Sequence, residues 1–271
     1  MTAVELIEVA LLGLGAGVVG GLAGIGGSII ILPGLHWVLH PDDPQQHHLY
    51  MAAAMTTNVF VAIPSAISHH REGAVRRELV RPVMVWTAGA VAVGVVLSNF
   101  APGELLKLLL GVVVVAFALK NLSTVIRPRR RAFDGSGRVE HATPGRLAAT
   151  GITTGLFSGL LGVGGGVVLV PMLNALVNAK LRYAIATSSA VICVTAGVGA
   201  ILKLALLGQL DLSWINALKL AGVLVPTAIV GGWTGAKLTH RLPLFWVRVA
   251  LIAILAAIAA RLFGIWGGAP T

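Results

Sequence analysis

Two glycine-rich runs are the segments of this sequence whose residue types and spacing best suit the binding of a ligand. Residues 21–28 read Gly-Leu-Ala-Gly-Ile-Gly-Gly-Ser, and residues 159–166 read Gly-Leu-Leu-Gly-Val-Gly-Gly-Gly. Consecutive glycines inside an apolar stretch favour an unwound turn that leaves backbone amides without helical partners. A helix that begins after such a turn presents its positive dipole end, which attracts an anion. The runs therefore predict an anion site lined by Gly24, Gly26, Gly27, Ser28, Gly162, Gly164, Gly165 and Gly166.

Two short polar runs in later apolar stretches are the next candidates for contact with an anion. Their hydroxyl and amide groups can donate hydrogen bonds to anion oxygens without trapping the anion. Interhelical or back-bonded packing, common for Ser and Thr in membrane helices, is the competing interpretation. The candidate residues are Thr56, Thr57, Asn58, Thr187, Ser188 and Ser189.

Lys203 lies near the end of an apolar stretch, where an ionisable group is costly and therefore indicates a functional role. Of the basic residues, its position best suits attraction of an anion to the mouth of a pathway. The 10 Asp and Glu residues all lie in loops or at the ends of apolar stretches, so no carboxylate is expected at mid-membrane to bind a cation. The histidines lack metal-ligand spacing, and no Gly-x-Ser-x-Gly, HExxH or P-loop motif occurs. We therefore expect no catalytic residue, no metal, no cofactor and no ATP-driven pump.

The composition is that of an integral membrane protein. Hydrophobic residues make up 56% of the 271 residues, charged residues make up 11%, and the mean hydropathy is +0.90. A soluble domain carries about 25% charged residues, so this chain cannot cover a water-facing surface. The net charge of +10 raises the alternative of nucleic-acid binding. Membrane topology explains the arginines better, because they cluster in loops beside apolar stretches.

Eight apolar stretches are predicted. They cover residues 4–39, 49–68, 79–98, 103–126, 145–178, 183–207, 212–236 and 243–266. Six have the length of one membrane crossing, about 20 residues. The first and fifth are too long for one crossing and slightly short for two. Each is therefore predicted to form two part-length helices joined by its glycine-rich turn.

The chain contains an internal repeat. A shift of 138 residues matches nine identical positions over residues 13–35. The spaced glycines among them, such as Gly13, Gly17 and Gly21, suit close helix packing. Further on, residues 55–58 are aligned with residues 186–189. The predicted domains are a first repeat at 1–126, a basic linker at 127–144 and a second repeat at 145–271.

The distribution of Lys and Arg favours two halves inserted in opposite directions. If each long stretch is a hairpin, most of the 20 basic residues lie on one side of the membrane. The alternative of parallel halves separates them less well. The predicted fold is an all-α polytopic membrane protein of two inverted repeats. Each repeat is a glycine-broken hairpin followed by three transmembrane helices, and the linker is cytoplasmic.

The paired glycine motifs resemble the signature of the sulfite exporter TauE/SafE family, and the resemblance extends over nearly the whole chain. It includes the Ala-Thr-Ser-Ser run at 186–189 and the basic linker. The first motif departs from the second by having Ser28 in place of Gly166. The resemblance implies a bacterial inner-membrane permease that exports sulfite, organosulfonates or related sulfur anions without ATP.

Three functions compete at this point. The first is an anion exporter with alternating access, driven by the membrane potential or a proton gradient. The second is a passive channel for a small anion or neutral solute, and the third is a membrane scaffold or enzyme subunit without transport. The expected partners are a small-molecule anion and the lipid bilayer, but no nucleic acid, and a homodimer is left open.

Overall fold

The computed structural model describes residues 2–39, 45–126 and 142–241, together with residues 249, 252, 253, 256 and 257. Every regular element within them is a helix, which confirms the all-α class for this part of the chain. Nearly all of the predicted linker and of the eighth predicted stretch lies outside the described residues. The helices are α1 Ala3–Ala23, α2 Ser28–Leu39, α3 Gln46–Arg71, α4 Arg77–Asn99, α5 Gly103–Ile126, α6 Pro144–Leu161, α7 Gly166–Leu176, α8 Leu181–Leu206 and α9 Trp214–Arg241, with a short 3-10 helix at Leu207–Leu210.

Five helices in the described part of the chain are long and apolar enough to cross a membrane. They are α1, α3, α4, α8 with its 3-10 extension, and α9. The prediction of two part-length helices in each long stretch is wrong for α1, because its 21 residues suffice for a full crossing. By contrast, α2 and α7 have 12 and 11 residues and are short apolar helices.

The two predicted breaks are confirmed, and glycines with positive φ form both of them. In the first, α1 ends at Gly24 with φ of 62°, and Gly26 has φ of 79°. In the second, α6 ends at Gly162 with φ of 70°, and Gly164 and Gly165 have φ of 71° and 87°. Any residue with a Cβ adopts this left-handed region at a cost of about 1–2 kcal/mol. We call residues 24–27 the first turn and residues 162–165 the second turn.

The spaced glycines before each turn pack α1 against α9 and α6 against α4. A Cβ added at Gly21 would collide with the backbone of Gly232 on α9. A Cβ added at Gly159 would collide with the backbone of Val91 on α4. Membrane helices approach closely where small residues meet, so the packing interpretation of these glycines is confirmed.

α3 and α8 lie in equivalent positions beside the two turns. A Cβ added at Gly162 would lie 2.9 Å from Met51 Cγ on α3. A Cβ added at Gly24 would lie 2.6 Å from Ile185 Cγ2 on α8. α8 therefore contacts the first turn, and α3 contacts the second turn.

The sequence alignment of residues 55–58 with residues 186–189 stays a prediction. Asn58 on α3 is the residue of these two runs that contacts the first turn through a backbone N–H, while Ser188 on α8 contacts it through a backbone carbonyl.

Candidate functional site

Asn58 lies at the midpoint of α3 and contacts both turns. Its Oδ1 accepts a hydrogen bond of 2.7 Å from the Gly27 N–H in the first turn. A Cβ added at Gly164 in the second turn would collide with Asn58 Nδ2. The side chain is fully buried, and Nδ2 has no hydrogen-bond partner within the described ranges. One amide therefore joins the two turns and keeps two N–H groups available at the second.

Thr154 and Ser158 of α6 place two hydroxyl groups beside the second turn. A Cβ added at Gly165 would lie 2.9 Å from Thr154 Cγ2 and 3.5 Å from Ser158 Oγ. Both hydroxyl oxygens are buried, and neither has a hydrogen-bond partner among the residues described. A polar group buried without a partner is costly, so these hydroxyls are suited to a ligand that accepts hydrogen bonds.

The first turn has no counterpart of the Thr154 and Ser158 hydroxyls. The repeat places Ala16 and Gly20 where the second half has Thr154 and Ser158. Ala16 and Gly20 pack directly against the first turn, where a Cβ at Gly27 would lie 3.3 Å from Ala16 O. The first and third residues of both turns have positive φ, and the second turn differs in the positive φ of Gly165 and in its pair of unpartnered hydroxyls.

α7 starts at Gly166, directly after the second turn, and directs its N-terminus to the same place. Its N-cap residue, Gly165, supplies no side-chain cap. The first N–H groups of a helix lack intrahelical acceptors and carry the positive end of the helix dipole. Thr187 of α8 is fully buried, and its Oγ1 also lacks a partner in the described ranges.

Side chains of α8 satisfy the backbone carbonyls that the turns expose. Ser188 Oγ donates to Gly24 O at 2.7 Å, and Thr195 Oγ1 donates to Gly164 O at 3.2 Å. These hydroxyls support the turns, because their protons are committed to the backbone. Within the predicted site, Ser188 is therefore a residue that holds the first turn.

The remaining predicted hydroxyls also donate to backbone carbonyls. Thr56 Oγ1 donates to Ala52 O at 2.7 Å and Thr57 Oγ1 to Ala53 O at 2.8 Å, both within α3. Ser189 Oγ donates to Ile185 O at 3.1 Å and lies 3.1 Å from Ser65 Oγ. Ser28 Oγ, at the start of α2, donates to Ala54 O at 3.2 Å. These bonds match the back-bonded alternative considered for Ser and Thr.

Lys203 lies away from the two turns. It follows Thr195 by eight residues in α8, which places it about 12 Å further along the helix at 1.5 Å per residue. Its Nζ lies 2.8 Å from His48 Nδ1 and donates to Ser98 Oγ at 2.9 Å. The structure thus brings together the two glycine turns and Asn58, and it separates Lys203 from them.

Sequence reasoning missed Thr154, Ser158 and Thr195. A signal for the first two was present, since the repeat alignment sets Thr154 opposite Ala16 and Ser158 opposite Gly20. A polar residue that replaces a small apolar one in only one copy indicates a role specific to that copy. No such signal was present for Thr195, because its role depends on which backbone carbonyl its hydroxyl contacts in the folded protein.

The electrostatics of this region favour an anion. Its unpartnered groups are an amide nitrogen, two hydroxyls and a helix N-terminus, and all of them can donate hydrogen bonds. Among the described residues no Asp or Glu is buried. A site of donors without carboxylates can accept a small oxyanion, whose oxygens take hydrogen bonds, but it offers a metal cation poor ligands.

Comparisons with known proteins agree with a membrane transporter. A family model described as sulfite exporter TauE/SafE matches residues 9–262. The chain is 26% identical to "Probable membrane transporter protein MamO" of Magnetospirillum gryphiswaldense over 95% of this chain and 45% of that protein. It therefore spans less than half the length of that relative.

Two relatives from Bacillus subtilis are close to this chain in length. "Probable membrane transporter protein YdhB" is 25% identical over 87% of this chain and 91% of its own. "Probable membrane transporter protein YunE" is 24% identical over 95% of this chain and 97% of its own. No solved structure matches the chain.

Proposed function

Because the chain belongs to the sulfite exporter TauE/SafE family, we propose that it is a secondary transporter that exports a small sulfur-containing anion, either sulfite or an organosulfonate. Its relatives are named as membrane transporters, and five apolar helices make it a multi-pass membrane protein. We assign it to the bacterial inner membrane with the basic linker 127–144 in the cytoplasm, where the excess of Arg places it. It acts as a permease, without ATP and without covalent chemistry.

The observation that carries this proposal is the set of unpartnered donors at the second turn. Asn58 Nδ2, Thr154 Oγ1 and Ser158 Oγ are buried without hydrogen-bond partners in the described ranges, beside the N-terminus of α7. A sulfite or sulfonate group presents three oxygens, which can accept from these three side chains. Neutral donors and a helix dipole hold an anion without the strong pairing that a fixed cation would give, so the anion can also leave.

Burial favours alternating access over an open channel. Asn58, Thr154 and Ser158 are each 0% exposed, so the site is closed to both sides in this conformation. We propose that the halves are inverted repeats that rock against each other, in the manner of other transporters with broken helices. The paired contacts of α1 with α9 and of α6 with α4 support this arrangement, since each half packs its hairpin on the other.

Within this proposal the predicted residues divide by role. Gly164 and Gly165 of the second turn contact the anion, with Asn58 and with Gly166 at the start of α7. Thr187 is a further candidate donor, because its hydroxyl is buried without a partner in the described ranges. The first turn, with Gly24, Gly26 and Gly27, is held by Ser188 and Asn58. The hydroxyls of Ser28, Thr56, Thr57 and Ser189 support the helices around it, and Gly162 ends α6.

The test is flux of radiolabelled sulfite and of a radiolabelled organosulfonate in proteoliposomes. Ser158→Ala is expected to lower flux per folded molecule about tenfold or more, because one donor to the anion is removed. Thr234→Val is the matched control, since Thr234 is exposed on α9 and bonds only to its own helix. Unchanged flux in Ser158→Ala contradicts the site, and a lack of flux with every anion contradicts transport.

Counterflow separates the exporter from the channel. An alternating-access transporter exchanges labelled anion faster when unlabelled anion is present on the opposite side. A channel shows no such stimulation. We expect stimulation, and its absence in the presence of robust flux would favour the passive channel.

A further inference from the structure

A second buried polar cluster lies at the C-terminal end of α8, away from the glycine turns. Lys203 is 0% exposed, and its Nζ lies 2.8 Å from His48 Nδ1 on α3 and donates to Ser98 Oγ on α4 at 2.9 Å. His48 is 3% exposed, and Ser98 is 0% exposed. Lysine is almost never fully buried unless it is paired with an acid, so this cluster requires a functional explanation.

Two further histidines continue the cluster. His36 Nε2 on α2 lies 2.9 Å from His47 Nδ1 on α3, and the two rings stack with their centroids 5.1 Å apart. The His47 ring meets the His48 ring edge-on, with centroids 6.4 Å apart. His36 Nδ1 and His47 Nε2 are buried without a hydrogen-bond partner in the described ranges. Four titratable side chains from three helices therefore lie in one row.

No carboxylate balances the charge of this row among the described residues. Lys107 on α5 also acts electrostatically on His36 and His47, and it is a cation as well. Glu104 on α5, Asp211 after the 3-10 helix and Lys219 on α9 have exposed side chains. Protonation of the row therefore creates a buried positive charge that only an anion from elsewhere can balance.

The contact between Lys203 and His48 restricts the number of protons that the pair can hold. A hydrogen bond between two nitrogens needs one donor and one acceptor. The pair can therefore hold one excess proton, either as a lysine ammonium that donates to a neutral imidazole or as an imidazolium that donates to a neutral amine. A second proton would set two donors face to face at 2.8 Å and break the bond.

We propose that the Lys203–His48 pair binds a proton that travels with the transported anion. This inference rests on the proposed function and adds the coupling ion to it. The pair is a proton site and not a second anion site, because Lys203 Nζ is fully buried and already bonded to His48 and Ser98. An anion could reach the nitrogen only by breaking those bonds.

The distance between the pair and the second turn is short enough for the two sites to interact. Lys203 lies about 12 Å along α8 from Thr195, whose hydroxyl bonds the second turn. A positive charge at that distance, at an effective dielectric constant of about 20, strengthens anion binding about tenfold. Proton and anion therefore favour each other's binding, and one proton with one monoanion crosses without net charge. The membrane potential then no longer drives export, so the anion leaves down its own concentration gradient, against any pH gradient that is acid outside.

The experiment uses the full chain in proteoliposomes with a pH-sensitive dye inside and the membrane potential clamped at zero. The probe is an organosulfonate, because its charge stays at one across the pH range of the assay, whereas sulfite itself titrates. We expect one proton to move with each sulfonate, and a gradient of one pH unit to sustain about tenfold accumulation of sulfonate. Sulfonate flux without proton movement overturns the inference and leaves the proposed function intact. Absence of both sulfonate and sulfite flux overturns the two together.

Three variants assign the effect to the pair. Lys203→Met is expected to remove proton movement while downhill sulfonate flux remains. His48→Gln is expected to alter the pH dependence of sulfonate flux, because glutamine can accept the Nζ–H hydrogen bond but cannot titrate. Lys219→Met is the control, since it removes an exposed lysine from α9. If Lys203→Met does not fold, His48→Gln decides the question. Wild-type coupling and pH dependence in the folded variants would contradict the assignment.

Discussion

Asn58 Oδ1 accepts the Gly27 N–H at 2.7 Å, while Nδ2 of the same amide faces Gly164 in the other half of the chain. The acceptor end of the side chain therefore holds the first turn, and the donor end is available at the second. An amide carries its acceptor and its donors on separate atoms of one neutral group. The chemistry of residue 58 can thus be tested by changes that alter one end alone.

Replacement of Asn58 by Asp keeps the acceptor and removes the donor. We expect anion flux to fall by about a hundredfold or more, because a negative charge replaces two N–H groups at a buried anion site. Flux of labelled sulfite per folded molecule measures the effect. Asn216→Asp makes the same chemical change at an exposed position of α9 and serves as the control. Equal flux in the two variants would remove Asn58 from the site.

Replacement of Gly164 by Ala is expected to lower the melting temperature of the detergent-solubilised protein and to reduce flux. Alanine at this position would have to adopt φ of 71°, and its Cβ would collide with Asn58 Nδ2. The left-handed conformation alone costs about 1–2 kcal/mol. Gly222→Ala is the matched control, because nothing lies within 4 Å of a Cβ there and alanine favours a helix. A melting temperature for Gly164→Ala equal to that of the control would contradict the geometry of the turn.

Replacement of Ser188 by Ala is expected to destabilise the protein by about 1–3 kcal/mol. Gly24 O accepts a hydrogen bond from Ser188 Oγ at 2.7 Å. Removal of the Ser188 hydroxyl leaves this carbonyl without that donor in an apolar interior. Thermal or denaturant unfolding in detergent measures the change. Thr234→Val, which removes an exposed hydroxyl, should change stability far less. A stability loss of the same size in both variants would show that the carbonyl does not depend on Ser188.

A reversible cross-link between Glu72 and Arg182 tests alternating access. The two side chains pair at 3.6 Å between the end of α3 and the start of α8. Close by, Arg76 Cζ lies 4.5 Å from the centre of the Tyr183 ring. With Cys193 replaced by Ala, the Glu72→Cys and Arg182→Cys double variant should lose flux when a bis-methanethiosulfonate reagent links the two cysteines and regain it on reduction, because the two ends can no longer separate. Each single variant is the control. Full flux from the cross-linked protein would exclude movement at this contact.

The breaks in the helices were predictable from sequence because their cause is local. Clusters such as Gly162, Gly164 and Gly165 occur where the backbone must adopt positive φ, and their repetition after 138 residues located both turns. The packing of the spaced glycines followed from the same reasoning. Composition likewise predicted the helical membrane class.

The donor set at the second turn was only partly predictable, because it depends on contacts between helices. Asn58 was a candidate, but its contacts with both turns join residues far apart in the chain. Thr154 and Ser158 were missed because each looks like an ordinary small residue on a packing face. Lys203 was placed correctly at the end of an apolar stretch, but its bond to His48 joins residues 155 positions apart.

The difference between Ala16 and Gly20 on one side and Thr154 and Ser158 on the other has a consequence for hybrid chains. A chain assembled from two second halves would carry the threonine and serine hydroxyls beside both bends. It would lack Asn58, because only the first half supplies that asparagine. The two halves are therefore not interchangeable, and under the proposed function each bend of such a hybrid is expected to bind the anion more weakly than the second bend of the natural chain.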